Sequence, residues 1–570
     1  MKLRGSDIII ECLLEQGVDV IFGYPGGAVL NIYDSLYKYS DKIRHVLTSH
    51  EQHAGHAADG YARATGKTGV VLATSGPGAT NLVTAIATAN MDSIPLVAIT
   101  GNVGLELLGL DSFQEVDITG ITMPVTKHNY LVRDINDLAD TIRRAFQIAG
   151  SGRKGAVLID VPKDITGHEC EFVPQNINAE CNCVTADKTG DSNSSLKSVV
   201  DLITSSERPF IYAGGGVISS GANTELAAFA ERVDAPVSCS LMGQGCFDQY
   251  DERYIGMLGM HGTKAAADTF KNCDLFIALG TRFSDRVTGC KQAFSKDLKI
   301  IHIDIDQAEH SKNVKTHTEV SGDIKQILTE LNSILPKRSN HEWVKRASEL
   351  YSSFKAVQSG TKELPVTPMA ILEKLDELTE GRAIITTEVG QNQMWAAMYY
   401  RNRETRTFIS SGGLGTMGYG LGAAIGAKIG KPDKTVVNIA GDGSFGMNLN
   451  ELVTLSKFNI PVIQLVLNNS VLGMVRQWQR LFYDRRFSET TLDRPIDYIK
   501  LAEAFGIKCL IIEKTEEIEP VLKEALNLTS GLSETARPVL IECRIDRDIN
   551  ILPMVPPGAD ITEPIMTMNN

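Results

Sequence analysis

Residues 435–482 read TVVNIAGDGSFGMNLNELVTLSKFNIPVIQLVLNNSVLGMVRQWQRLF. The pattern is an apolar strand ending in Gly441-Asp442-Gly443, a helical stretch, a second apolar strand ending in Asn468-Asn469, and a further helical stretch. Strands joined through helices pair in parallel, and the carboxyl ends of parallel strands open on one crevice. Asp442 and Asn469 can therefore converge although 26 residues lie between them. A carboxylate, an amide oxygen and a nearby carbonyl suit Mg²⁺, which takes its remaining oxygens from water and phosphate. The glycines let backbone approach a diphosphate. Asn448 with Glu451 three residues on predicts a capping-box-like helix start whose positive end faces the turn. GDG alone fits an ordinary strand-turn-helix equally well; its coupling to NN through two alternating elements gives it weight.

The totals bound the rest. A chain of 570 residues exceeds one core and predicts about three domains. A composition of 43% hydrophobic and 22% charged residues is globular, and no run approaches the roughly 18 apolar residues that cross a bilayer. A formal charge of −13 argues against general nucleic-acid binding, so an anionic substrate must meet specific Lys or Arg. The ten cysteines are scattered, with only Cys181 and Cys183 close together, which gives neither a zinc pattern nor a disulfide framework. Without a signal-peptide pattern at the N-terminus, a cytoplasmic protein is expected.

From Gly5 to about Asp164, DVIFGYPG, GVVLATSGPGATN, PLVAITG and GAVLIDVP are buried-strand runs alternating with helical patterns. A polar stretch from Cys170 to Ser195 reads as a linker. RPFIYAGGGV, APVSCS, DLFIALGTRF and KIIHIDID give a second unit. Pro365 and Pro368 open a third, with RAIITTEVGQNQ, RTFISSGG, KTVVNIAGDG, PVIQLVLNN, KCLII and RPVLIECRI. The expected fold is α/β: three doubly wound parallel sheets in domains 1–180, 190–335 and 365–550. A tail, 551–570, reads either as a lid or as a frayed terminus.

GDG, 24 intervening residues and NN resemble the metal-diphosphate motif of thiamin-diphosphate enzymes, and nearly the whole chain resembles the large catalytic subunit of the acetohydroxyacid (acetolactate) synthase family. That resemblance implies Mg²⁺ held by Asp442, Asn469 and the Val471 carbonyl. It implies that Glu51, in SHEQHAGHAADGYAR, hydrogen-bonds the aminopyrimidine ring and helps remove the thiazolium C2 proton. Taken alone, Glu51 would be an exposed helix-start glutamate. His50, His53 and His56 crowd the same stretch; with no second ligand cluster they are read as structural. Met417 matches the prop that bends the cofactor. Tyr24, Pro77, Asn81, Gly390, Gln391, Asn392, Gly443, Ser444 and Met474 match further cofactor positions, Asn392 standing where many relatives have His. Gln114 matches a residue beside the reacting intermediate, Phe113 its apolar neighbour, and Gly27 a backbone donor to the developing oxyanion. Lys163 and Arg286 are the cations expected near the substrate entrance. Val475 and Trp478 lie on the helix after NN, where the family uses the Trp to favour the extra methyl of 2-oxobutyrate.

The middle unit carries AGGGV, GMHGT, GTRFSDRVTG, IDID and SGD at successive strand ends. GGG does not satisfy the GxGxxG of a plain NAD site. The pattern resembles the FAD site of the biosynthetic synthases, which implies Arg153, Gly214, Gly215, Gly216, Met260, His261, Gly280, Arg282, Asp285, Arg286, Val287, Asp304, Ile305 and Asp323 as FAD residues. The implied reaction is decarboxylation of pyruvate and transfer of its hydroxyethyl unit to pyruvate or 2-oxobutyrate, an early step toward valine, leucine and isoleucine. The implied assembly is a homodimer or tetramer with intersubunit sites and a separate small regulatory subunit, without nucleic acid or membrane. The alternative is a pyruvate oxidase or 2-oxoacid decarboxylase of the same cofactor class, which Gln114 and Trp478 weigh against; a nucleotide-binding dehydrogenase is disfavoured by the split GDG and NN motif.

Overall fold

The structure is a computed structural model that describes residues 1–175, 192–290, 294, 298–359, 366–530 and 535–567. Cys181, Cys183, Pro365 and most of the polar stretch read as a linker lie outside the described residues. Three six-stranded parallel sheets are present, as the alternation of apolar runs and helical patterns requires.

In the first unit the strands are Val20–Gly23, Arg44–Leu47, Gly69–Ala73, Leu96–Asn102, His128–Leu131 and Ala156–Pro162. Counted in chain order, they lie second, first, third, fourth, sixth, fifth. The third unit, with Ile384–Thr387, Phe408–Ile409, Val436–Gly441, Ile463–Asn468, Lys508–Ile512 and Val539–Arg544, has the same order. The central unit uses Pro209–Ala213, Val237–Cys239, Tyr254–Met257, Leu275–Leu279, Lys299–Asp304 and Thr318–Ser321 in the order third, second, first, fourth, fifth, sixth. Each sheet therefore has a point beside its first strand where the winding reverses, and ligands of open α/β sheets bind outside the strand ends at such a point. The segments at these three points are Tyr24–Gly27 with Thr74–Asn81, Gly214–Gly216 with Gly280–Arg282, and Glu388–Asn392 with Asp442–Ser444. All three are stretches singled out from the sequence.

The strands of these three sheets that apolar runs did not predict are Arg44–Leu47, His128–Leu131, Tyr254–Met257 and Thr318–Ser321, each at a sheet edge. An edge strand is short and paired on one side only, so it lacks the long apolar run of a central parallel strand.

The first and third units share one hydrophobic core that includes Val71, Ala98, Leu421, Val436 and Val466. Its seam is the crossing of helix Glu51–Thr65 on helix Gly420–Gly430. A Cβ on Gly60 would lie 2.1 Å from the Ala423 carbonyl oxygen, and one on Gly426 1.8 Å from that of Ala57. Buried charges tie the same seam. Arg63 meets Asp59 at 2.6 Å and Asp92 at 2.8 Å, and Asp92 accepts from the amides of Gly412 and Gly413. Arg282 of the central unit donates to the Met91 carbonyl next door at 2.6 Å. All three units meet at Met91-Asp92.

Residues 551–567 of the tail pack against the protein. Ile551, Met554, Val555 and Ile561 are buried, Gln477 holds Ile551 through both its amide nitrogen and oxygen, and Val555 N–H donates to the Met260 carbonyl at 2.7 Å. The tail thereby straps the helix after Asn469 to the central unit. Among the described residues no helix is long and apolar enough to cross a membrane.

Candidate active site

The metal-diphosphate half is built on two neighbouring strands, Val436–Gly441 and Ile463–Asn468, in parallel register with Gly441 opposite Leu467. Asp442 follows the first and Asn469 the second, and the backbone amide of Asn469 is close enough to Asp442 to draw its pKa down. Burial outweighs that pull and pushes the carboxyl up to about 6. Asp442 Oδ1 is buried without a hydrogen-bond partner. The Asn469 amide lies 3.5 Å from Gln391 Oε1, and Val471 is buried beside it. A Cβ on Gly473 would lie 2.0 Å from Gln391 Oε1, so any larger residue there would push the Gln391 side chain aside. Gly390, at φ +136°, turns the chain after Ile384–Thr387 into helix Gln391–Tyr399. Asn392 is buried with its Oδ1 unpartnered. An unpaired carboxylate oxygen, an unpaired amide oxygen and glycine-lined backbone are the donor set a cation and a diphosphate require.

The expected capping box at Asn448 is not formed. A short helix starts at Asp442 itself, and Asn448 precedes a 3₁₀ turn without a side-chain cap. Glu451 instead reaches the first unit, accepting from Ser49 N–H at 2.9 Å, from Thr454 Oγ1 at 2.6 Å and contacting His53 Nδ1 at 3.1 Å. A buried carboxylate took the stronger long-range donors over its own helix start.

In the pyrimidine half, Glu51 begins its helix behind His50, whose Nδ1 accepts from Gln52 N–H at 3.1 Å. Asn81 Nδ2 donates to Glu51 Oε2 at 2.9 Å. Gly76, at φ +57°, lets Pro77 open the helix that carries Asn81. Gln114 lies on that turn: a Cβ on Gly76 would be 2.8 Å from the Gln114 carbonyl oxygen. Gln114 itself is left-handed at φ 57°, a conformation held for a non-glycine residue only by its surroundings. Tyr24 and Gly27 follow the adjoining strand end; Tyr24 and Phe113 are exposed, Phe113 at 88%. Lys163, also exposed, opens the short helix after Ala156–Pro162. Among the described residues no cluster of three or more His, Cys, Asp or Glu could hold a metal.

At the central switch point the two turns interlock, Gly216 N–H donating to the Gly280 carbonyl at 3.1 Å while Gly214 N–H donates to Leu279. Gly215 stands between them. Asp304 is buried, accepts from Asp306 N–H at 2.9 Å, and is pushed up to about 6 by that burial. Arg153 crosses from the first unit to Asp306 at 3.3 Å and Glu309 at 2.9 Å. Ile305 is exposed, whereas Val287 packs in the core. Asp323 caps helix Ile324–Ile334 by accepting from Gln326 N–H at 3.1 Å, a local structural role. His261 is buried with Nδ1 3.3 Å from the Pro553 carbonyl, so its ring faces the tail; burial lowers its pKa to about 4.

Residues 3–121, 196–331 and 388–543 match, respectively, the N-terminal TPP binding, central and C-terminal TPP binding domains of thiamine pyrophosphate enzymes. The chain is 46% identical to a "Probable acetolactate synthase large subunit" of Methanocaldococcus jannaschii over 98% of this chain and 95% of that one. It is 44% identical to an "Acetolactate synthase" of Mycobacterium leprae (99% and 90%) and to an "Acetolactate synthase large subunit" of Corynebacterium glutamicum (98% and 89%). The chain belongs to the acetolactate synthase large-subunit family of thiamin-diphosphate enzymes.

On the acceptor side expected of an acetolactate synthase, helix Gly473–Phe482 presents Val475, 52% exposed, and Trp478. Met474 packs instead against the third unit's core. The Arg286 guanidinium lies 5.9 Å over the Trp478 ring, and Trp478 Nε1 is buried without a partner. Arg286 also donates to Met260 Sδ at 3.7 Å, while Asp285 points into solvent.

One residue the sequence reading passed over is Glu388. It is fully buried, and burial raises its pKa despite the hydrogen bonds it accepts. The signal was present: a carboxylate closing the apolar run RAIITTE, at the carboxyl end of a parallel strand, faces the crevice where ligands bind.

Proposed function

We propose that this chain, loaded with thiamin diphosphate, Mg²⁺ and FAD, decarboxylates pyruvate and transfers the hydroxyethyl unit to a second 2-oxoacid, giving 2-acetolactate or 2-aceto-2-hydroxybutyrate. The observation that carries the reading is the presence, in one chain of this family, of both the Asn81-bound Glu51 and the residues Asp442 and Asn469 that follow two neighbouring parallel strands. When bound, thiamin diphosphate supplies an acidic C2 position and an electron sink for loss of CO₂. Glu51 holds a proton at the aminopyrimidine nitrogen, and Asn81 fixes the carboxylate that does so. Asp442, the Asn469 amide oxygen and the Val471 carbonyl hold Mg²⁺; Asp442 Oδ1, buried and otherwise unpaired, fits that role. Backbone at Gly443, Ser444 and Gly390–Asn392 receives the diphosphate, and Met417 supports the ring system. Gln114 and Gly27 face the reacting centre, with Lys163 and Arg286 at the entrance and Trp478 selecting the acceptor.

FAD fits the central switch point, where Gly214–Gly216, Gly280, Arg282 and Asp304 sit at adjoining strand ends and bulkier residues at the glycines would meet backbone. The active unit is a dimer or tetramer in which Glu51 of one protomer faces Asp442 of its partner. A separate small regulatory subunit and a cytoplasmic location complete the proposal.

The test is purified protein with thiamin diphosphate, Mg²⁺, FAD and pyruvate, with products identified. Acetolactate is expected. Acetaldehyde would make the chain a decarboxylase, and acetate with peroxide an oxidase; either overturns the proposal.

A further inference from the structure

We propose that Glu388 is a positioning residue that fixes the spacing between the turn carrying Met417 and the turn carrying Asp442, and so the fold-over of the cofactor those turns hold. The proposal rests on the reading of this site as a thiamin diphosphate site. Glu388 follows Ile384–Thr387 directly, at the point where the third sheet reverses its winding. Its Oε2 accepts from Gly418 N–H at 2.8 Å and from Ser444 Oγ at 2.8 Å. Its Oε1 accepts from Gly420 N–H at 2.9 Å, from Leu421 N–H at 3.3 Å and from Asn448 Nδ2.

The five partners are neutral donors on two stretches of chain, Gly418–Leu421 and Ser444–Asn448. Gly418 N–H belongs to the peptide that links Met417 to the start of helix Gly420–Gly430, and Ser444 lies two residues after Asp442. A single oxygen therefore holds the ring-supporting turn and the metal-side turn together, with Gly418 N and Ser444 Oγ only 3.3 Å apart. A carboxylate suits this place because both its oxygens accept. Glutamine would turn an –NH₂ toward N–H and O–H donors on one side and break that set of bonds. In a buried site no water replaces the lost acceptor, so the turns must separate. Thiamin chemistry depends on the approach of the aminopyrimidine to C2, and small displacements of positioned groups are costly in rate.

The experiment compares wild type, Glu388→Gln and Glu388→Asp. Binding of thiamin diphosphate with Mg²⁺ is followed by tryptophan quenching, and C2 proton exchange of the bound cofactor is followed by NMR at saturation. A structural role alone lowers the melting temperature of the cofactor-free protein and leaves exchange per bound cofactor unchanged. The proposal expects exchange in E388Q slowed at least about tenfold, with E388D recovering part of the loss. Exchange within about twofold of wild type in E388Q, or no advantage of Asp over Gln, overturns it. Wild type that binds no thiamin diphosphate overturns the site reading instead, and the proposal with it. If E388Q does not fold, Asn448→Ala decides. That variant removes one donor and keeps the carboxylate; slowed exchange at saturation supports the proposal, and a wild-type rate overturns it.

Discussion

Asn81 Nδ2 and Glu51 Oε2 lie 2.9 Å apart, across the gap between the second and third strands' following helices in the first unit. The bond aims a carboxylate that the rest of the site leaves half-exposed. Glu51→Gln should slow C2 proton exchange by about 10²- to 10⁴-fold, the range of a positioned proton-transfer group, with cofactor affinity altered far less. Asn81→Ala removes only the aim and should cost about 1 kcal/mol, roughly a fivefold slowing. NMR-monitored exchange checks both, and equal rates in wild type and E51Q would remove Glu51 from its role.

Trp478 stands under Arg286 at 5.9 Å, with Phe482 edge-on to its ring at 6.2 Å. An indole clamped in this way offers a flat apolar wall on which one extra methyl can be recognised. Such a methyl is worth about 1–3 kcal/mol, so Trp478→Leu should lower the preference for 2-oxobutyrate over pyruvate as acceptor by about 10- to 200-fold. Competition between the two 2-oxoacids, with both products measured, checks this; turnover on pyruvate alone should change much less.

The strand-end motifs were legible in the sequence because central parallel strands are long apolar runs, and a polar or glycine residue that ends one must face the crevice. That logic singled out Asp442, Asn469 and the Gly214–Gly216 turn, whereas Gly390 came from the resemblance to the family. It could not pair Glu451 with Ser49 and His53, because those contacts join positions about 400 residues apart and local rules favoured a helix cap. Nor could it show that Asp323 is a cap while Glu388, a similar residue at a similar place, is a hub. The difference lies in which donors the packed turns bring to each carboxylate.

Asp160 provides a pH test outside the chemistry. It is buried, accepting from Thr100 Oγ1 at 2.7 Å and Asn102 Nδ2 at 2.6 Å, and burial pushes its carboxyl up to about 7. A carboxyl whose folded pKa lies above its unfolded value near 4 favours the folded state while protonated. That stability is fully present below about pH 4 and is lost as pH rises through about 7, amounting to about 4 kcal/mol by linkage. Asp160→Asn keeps the geometry, its oxygen accepting from Asn102 and its –NH₂ donating to a rotated Thr100 hydroxyl. The variant should therefore melt well above wild type at pH 8, less far above it at pH 5, and close to it at pH 4. Melting curves across that range check the prediction, and an unchanged pH slope would contradict it.

Gly280 tests the flavin site. It adopts φ +59°, and a Cβ there would lie 2.6 Å from Gly216 Cα and 2.6 Å from Ile324 Cδ1. The left-handed conformation alone costs an alanine about 1–2 kcal/mol, and the Gly216 contact is with backbone, which cannot rotate aside. Relief requires the strand ends after Pro209–Ala213 and Leu275–Leu279 to part at the point where the central sheet opens. Gly280→Ala should thus weaken flavin retention by at least about tenfold, since about 1.4 kcal/mol corresponds to that factor. The ratio of flavin to protein absorbance after gel filtration measures it. Thiamin diphosphate binding, titrated on the same sample with Mg²⁺, should be affected far less, because the atoms a Cβ on Gly280 would meet, on Gly216 and Ile324, both belong to the central unit. Flavin content equal to wild type would show that this pair of strand ends does not hold the dinucleotide.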